Sequence, residues 1–129
     1  MKKLIVFASL LFLFAACNRD MDFEVISETE PALVVVAETV TGSGTSTVFT
    51  KILGATVNLY NNQADFNAAA TPFKTKVTSV DGKAVFTKGD LVQKGIFYVR
   101  VISGAKTGTV TTPYILLNDG ETTVFVALN

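Results

Sequence analysis

The chain has 129 residues, 49% of them hydrophobic, and its eleven basic and eleven acidic residues leave no formal net charge. That length holds one domain rather than two, and the charge balance lacks the dense basic surface of a nucleic-acid binder. Histidine and tryptophan are absent and cysteine occurs once. These absences remove the commonest general base and zinc ligand, the largest ring for stacking on sugars, and any intrachain disulfide.

Met1-Lys2-Lys3 is a short basic start, residues 4–14 form an apolar run broken only by Ser9, and Ala15-Ala16 supplies the small residues that precede a signal-peptidase cut. The apolar run is too short for a comfortable bilayer span, which needs about 20 residues. Cys17 follows directly. Phe14-Ala15-Ala16-Cys17 resembles the bacterial lipobox, with Phe14 where Leu is usual, as in relaxed lipoboxes of Bacteroidota-like proteins. The resemblance implies removal of residues 1–16 and lipid attachment at Cys17. Asn18 is not the Asp of inner-membrane retention, so the implied place is the cell envelope, lipid-anchored at the outer membrane, periplasmic or surface-exposed. Ordinary secretion with a free thiol and an uncleaved N-terminal helix are the alternatives.

Residues 17–31 read as the lipidated terminus and a flexible acidic tether. Residues 18–31 carry five carboxylates against Arg19 alone, a net charge of −4, and mix polar, acidic and apolar residues without a clear period. From Ala32 onward eight basic residues face six acidic ones, a net charge of +2. Residues 32–129 form the expected domain. There short segments rich in Val, Ile, Thr, Phe and Tyr alternate with Gly, Asn and Asp, the pattern of strands and turns. Strands are expected at 33–40, 47–51 and 55–60, with Gly42-Ser43-Gly44 turning between the first two. Residues 61–71 are alanine-rich and end at Pro72, which predicts a loop or one helical turn. A strand over 73–80 meets Asp81-Gly82, a tight-turn signal, and 84–87 is expected to pair back against it. In 96–102 Phe97, Val99 and Val101 take the dry face opposite Arg100. A turn over 104–108, a strand over 110–117, the turn Asn118-Asp119-Gly120 and a last strand over 122–128 complete the series. About seven strands without a long helix predict an all-β fold, an antiparallel β-sandwich. Its expected core is Val35, Val57, Leu59, Val77, Phe86, Phe97, Val99, Val101, Val124 and Val126.

Three pieces then stand in order: Gly54-Ala55-Thr56-Val57-Asn58-Leu59-Tyr60, Val80-Asp81-Gly82-Lys83-Ala84-Val85-Phe86, and Gly95-Ile96-Phe97-Tyr98-Val99-Arg100-Val101. Together they resemble the carboxypeptidase regulatory-like and Cna B-type domains. That resemblance covers about residues 32–129 and implies a transthyretin (prealbumin-like) sandwich. Such domains serve as stalks, spacers, adhesin modules or accessory domains. The transthyretin-like hydrolases among their relatives depend on histidines, which this chain lacks. Pilin-type Cna B domains cross-link Lys to Asn beside a Glu, and Leu91-Val92-Gln93-Lys94-Gly95-Ile96-Phe97 has neither that Glu nor the accompanying Pro.

Other candidate sites have simpler readings. No Ser or Thr sits in a nucleophile motif with a base. Asn118-Asp119-Gly120-Glu121 and Asp81 could offer oxygens to calcium, but the residues are turn formers and six to eight ligands are needed. Tyr60, Tyr98 and Tyr114 could line a sugar platform, though tyrosine on strands is usually half-buried packing. The sequence thus leads us to expect no enzyme, no cofactor, no metal and no nucleic acid. It points to a lipoprotein whose sandwich serves protein interaction, adhesion or assembly. The alternative is a carbohydrate-binding accessory lipoprotein of a surface glycan-uptake system.

Overall fold

The computed structural model describes residues 29–118 and 120–129. The expected signal peptide, Cys17 and residues 18–28 lie outside them, as does Asp119. Two sheets face each other. Sheet A contains β1 (Pro31–Thr41), β2 (Val48–Lys51), β5 (Lys83–Thr87) and β8 (Thr122–Leu128). Sheet B runs in the order β4 (Lys74–Val77), β3 (Thr56–Tyr60), β6 (Tyr98–Ser103), β7 (Lys106–Thr111). The all-β sandwich follows from the period-2 patterning, with eight strands among the described residues where about seven were expected. Two short helices, α1 (Gln63–Asn67) and α2 (Lys88–Leu91), interrupt the strand series.

β1 organises sheet A. Its register places β5 on Pro31 to Val36 and β2 on Glu38 to Thr41, end to end along one edge, while β8 lies along the other edge over Leu33 to Thr39. The β1–β8 pair is parallel, against the purely antiparallel expectation. A long crossover makes this possible, because the chain leaves β7 in sheet B and crosses to sheet A before β8 begins. Pro31, expected in the tether, is already the first residue of β1 and opposes Thr87. Just before it, Glu30 bonds Lys88 through both its carboxylate (2.5 Å) and its backbone carbonyl (3.0 Å).

Between the sheets lie Leu33, Val35, Ala37, Val57, Leu59, Phe86, Leu91, Phe97, Val99, Val101, Ile115, Val126 and Leu128, each at most 2% exposed. Fully burying side chains of this size contributes about 1.5–3 kcal/mol apiece. Val77 is the one expected core residue that fails, at 61% exposed. Register explains it: Val57 opposes Lys76 and Leu59 opposes Lys74, so the inward phase of β4 carries the lysines. Inward charge on an edge strand discourages pairing with another chain.

Lys76 turns that position to use. Its Nζ donates to Asp90 Oδ2 (2.5 Å) and to the Val85 carbonyl (2.8 Å), and it stands 5.5 Å from the Phe86 ring centre. Asp90 is also the third residue of α2. There its carboxylate accepts from the Thr87 N–H while the Thr87 hydroxyl accepts from the Asp90 N–H, a capping box. The pair therefore clips sheet B to sheet A. Burial alone would raise the Asp90 carboxyl pKa. The hydrogen bonds from Lys76 and Thr87 and the Lys76 charge outweigh that and hold it below its ordinary 3.8. A depressed folded pKa gives stability that is present above the unfolded value and is lost as pH falls through the folded one. Asp90→Ala should cost about 1–2 kcal/mol at neutral pH through the lost cap and charge-assisted bond. Urea titrations at pH 7 and pH 3 should show the wild-type advantage shrinking below about pH 4.

The turn at Asp81-Gly82 forms, with the Gly82 N–H donating to the Ser79 carbonyl and the Ser79 N–H to the Lys83 carbonyl. It does not make the expected hairpin, because β5 pairs with β1 and β4 pairs with β3. Buried Thr78 redirects the chain. Its hydroxyl accepts from the Ala55 N–H and donates to the Ile52 carbonyl, and its backbone bonds Ala55 and Gly54. The end of β4 is thereby fixed to the loop before β3. Gly82 then packs against β1, where its carbonyl accepts from the Ala37 N–H and a Cβ would lie 2.8 Å from the Ala37 carbonyl oxygen.

The expected strand at 110–117 also changes. β7 covers 106–111, beginning inside the expected turn and ending just after the expected strand starts, and the sheet stops where Thr112-Pro113 begins. Proline has no N–H for the ladder, and the Thr112 hydroxyl accepts the Phe97 N–H instead. Ile115 then returns to the core as an isolated bridge to Gly95. At the far corner Thr107 and Asn129 exchange backbone hydrogen bonds (3.2 and 3.4 Å), joining sheet B to sheet A.

Candidate functional site

A sandwich needs one apolar face per sheet, and the other usually meets water with polar side chains. Sheet B follows that rule only in part: by register Thr56, Asn58, Thr75, Arg100 and Thr109 lie on its outer face together with Val77, Ile102, Tyr60 and Tyr98. Sheet A does not. Residues 32–37, Ala-Leu-Val-Val-Val-Ala, are apolar at every position, so alternation puts apolar side chains on both sides of β1. The outer face carries Val34, Val36 and Val40 along β1, Val85 on β5, Phe49 on β2 and Phe125 on β8.

These side chains surround a shallow depression of about 380 Å³ lined by Val34, Val36, Val85, Phe125, Thr123, Lys51, Lys83 and Glu121. Val34 and Val36 form a buried floor, whereas Phe125 stands 59% exposed at its side. Lys51 Nζ bonds Glu38 (2.6 Å) and lies 5.2 Å from the Phe125 ring centre, so the rim is held by an ion pair and a cation–π contact. Lys83 is exposed and has no carboxylate partner among the described residues. Glu121 accepts from the Thr123 hydroxyl at the opposite rim. Chemically this is an apolar floor with charged edges, suited to covering by another apolar surface rather than to bond making.

Tyr60 and Tyr98 come together, but not as an open platform. Phe66 of α1 packs its ring on both, at 5.6 and 5.7 Å, and Arg100 stands over the Phe66 and Tyr60 rings at 4.7 and 5.8 Å. Arg100 also donates to the Phe66 carbonyl, fixing α1 over the pair, and Tyr60 is buried. Tyr114 is exposed on the loop after β7 and makes no ring contact with either.

At the other turn motif Gly120 has φ of +84°, as a turn glycine requires, and Asp119 lies outside the described residues. No group of three or more Cys, Asp or Glu side chains that could hold a metal occurs among the described residues. A second depression, of about 460 Å³, is lined by Val92, Gln93, Lys94, Leu116, Leu117 and Asn118. Val92 there has φ of +62°, a strained value for a β-branched residue.

The outer face of sheet A is not among the sites expected from the sequence. Its signal was the unbroken apolar run at 32–37, which reads as a strand buried on both sides. No protein-family model matches the chain, and a search of curated proteins returns no match.

Proposed function

We propose that this chain is a non-enzymatic cell-envelope lipoprotein, held at the outer membrane by acylated Cys17, whose sandwich works in protein interaction, adhesion or assembly. The observation that carries the interaction reading is the outer face of sheet A, an apolar floor beside exposed Phe125 on a sheet that has already spent its other face on the core. Contiguous exposed apolar surface rimmed by polar groups marks interaction sites. The carboxypeptidase regulatory-like or Cna B-type assignment, with its prealbumin-like fold, is supported by where the three motif segments fall. They coincide with β3, with the turn into β5, and with β6 beside β3.

The test is affinity capture from detergent-solubilised envelope with wild-type and Phe125→Glu protein. A specific protein partner held by the wild type should be lost with Phe125→Glu, a change of about 2 kcal/mol for a central aromatic anchor. Capture that is indifferent to Phe125→Glu would remove this face from the function. Saccharide binding on a glycan array, abolished by Tyr98→Ala, would instead favour the carbohydrate-binding reading.

A further inference from the structure

We propose that the loops around Val92 and Tyr114, at the end of the sandwich where the chain enters, rest against the lipid surface that anchors Cys17. Two short segments meet there. Gly95 and Ile115 exchange backbone hydrogen bonds (3.1 and 2.8 Å), and Ile115 is buried in the core. Alternation from Ile115 therefore turns Lys94, Ile96, Tyr114 and Leu116 outward together. Val92 lines a depression with Lys94 and Leu116. The four apolar side chains, Val92, Ile96, Tyr114 and Leu116, are 72, 44, 56 and 42% exposed, so they are available for contact. Lys94 is the one charged residue in 92–97 and 112–118, so no carboxylate of these loops opposes an anionic headgroup.

The place of chain entry selects a bilayer as the occupant. α2 ends on Val92, whose N–H bonds the Lys88 carbonyl, and Lys88 holds Glu30 at the head of β1. The patch thus begins one helical turn beyond the clip at which the chain joins the sandwich. Residues 17–28 span at most about 40 Å, whereas the eleven residues of β1 alone measure roughly 36 Å. The entry end therefore touches the bilayer at any extension of that segment. The opposite end, where Leu53 precedes β3, reaches it only near full stretch. Tyrosine and lysine suit a lipid boundary, because each has an apolar body and a polar tip. Val92 agrees, since its φ of +62° keeps a β-branched side chain exposed at a position where glycine would relieve the strain. Four apolar side chains make a weak contact, sufficient for a domain anchored nearby and insufficient to retain a free one. With this end down, the strands stand on the membrane and the outer face of sheet A opens sideways to a partner.

This inference rests on the Cys17 anchor proposed above, and its test supplies the anchor chemically so that the two can fail separately. Cys17 is the only cysteine. The chain from residue 17 onward couples through it to a maleimide lipid in phosphatidylethanolamine–phosphatidylglycerol vesicles carrying brominated acyl chains. The chain has no tryptophan, so Tyr114→Trp and, at the opposite end, Leu53→Trp each install a single reporter. The expected result is blue-shifted emission and several-fold stronger bromolipid quenching for Tyr114→Trp than for Leu53→Trp. Adding Val92→Gly with Ile96→Ser should bring the two to equality, with circular dichroism confirming the fold. Val92→Gly alone should weaken the quenching while leaving the urea midpoint no lower. Equal quenching at the two sites before those substitutions would overturn the proposal, and so would quenching that survives them. Solvent-like emission that turns blue only when solubilised envelope protein is added would overturn it too, by giving this end to a protein partner. Fatty-acid labelling in cells tests the anchor itself, and its failure would not alter the quenching contrast.

Discussion

Gly108→Ala should lower the unfolding free energy by about 3 kcal/mol, the upper part of the range for forcing atoms into a packed interior. Gly108 lies on the inward row of β7, opposite Val101 and against β8. A Cβ there would stand 2.3 Å from the Ala127 carbonyl oxygen and 2.8 Å from Val126 Cγ1. The first obstacle is backbone and cannot rotate aside, so β7 must retreat from β8. That movement would strain the two backbone bonds between Thr107 and Asn129, which close this corner of the sandwich. Gly104 is a matched control. It has φ of +61° with open space where a Cβ would go, so Gly104→Ala should cost only about 1 kcal/mol, from conformation alone. Urea denaturation should show a lower midpoint for Gly108→Ala with an unchanged slope. A loss no larger than that of Gly104→Ala would mean that the corner is loose.

Why some of this was legible in the sequence, and some was not, follows from what each residue answers to. β8 begins and ends at residues 122 and 128 as expected, because Val124, Val126 and Leu128 alternate cleanly and have no competing role. Phe97, Val99 and Val101 follow their alternation into the core for the same reason. Alternation could not set the phase of β4, where Lys76 and Val77 are neighbours and valine is the obvious inward choice. The deciding partner is Asp90, fourteen positions away on another element. Likewise Asp81-Gly82 specifies a turn but not the sheet that the next strand joins, and the buried Thr78 hydroxyl decides that through Ile52 and Ala55. The parallel β1–β8 pairing is more distant still, since it depends on where the crossover after β7 lands.

The candidate site shows the same division. Tyr60, Tyr98 and Tyr114 could line a platform by sequence, with half-buried packing the simpler reading; Tyr60 and Tyr98 do adjoin, but Phe66 and Arg100 occupy their rings. A five-residue helix between strands gave no period strong enough to announce that lid over the pair. The outer face of sheet A was more accessible. A β1 apolar at six successive positions needs cover on both faces, and the described residues supply a second layer on only one.

The largest functional effect is expected at Cys17, the proposed site of lipid attachment. Cys17→Ala should abolish acyl labelling and release the protein from the membrane fraction, while the sandwich keeps its thermal midpoint. The energetic contrast is large, because each buried CH₂ contributes about 0.8 kcal/mol and two or three acyl chains give stable anchoring. Without them, residues 4–14 are too short a run for a comfortable span, which takes about 20 residues. Among the described residues no helix is long and apolar enough to cross a membrane. The fold should not notice the change, since among the described residues the core side chains lie between Ala32 and Leu128. Fatty-acid labelling with membrane fractionation measures both halves of the expectation. If Cys17→Ala protein stays acylated and membrane-bound, the lipid anchor lies elsewhere and the lipobox reading falls. If labelling is lost but the protein still sediments with membranes, the domain itself holds a membrane partner, and the outer face of sheet A becomes the first surface to substitute.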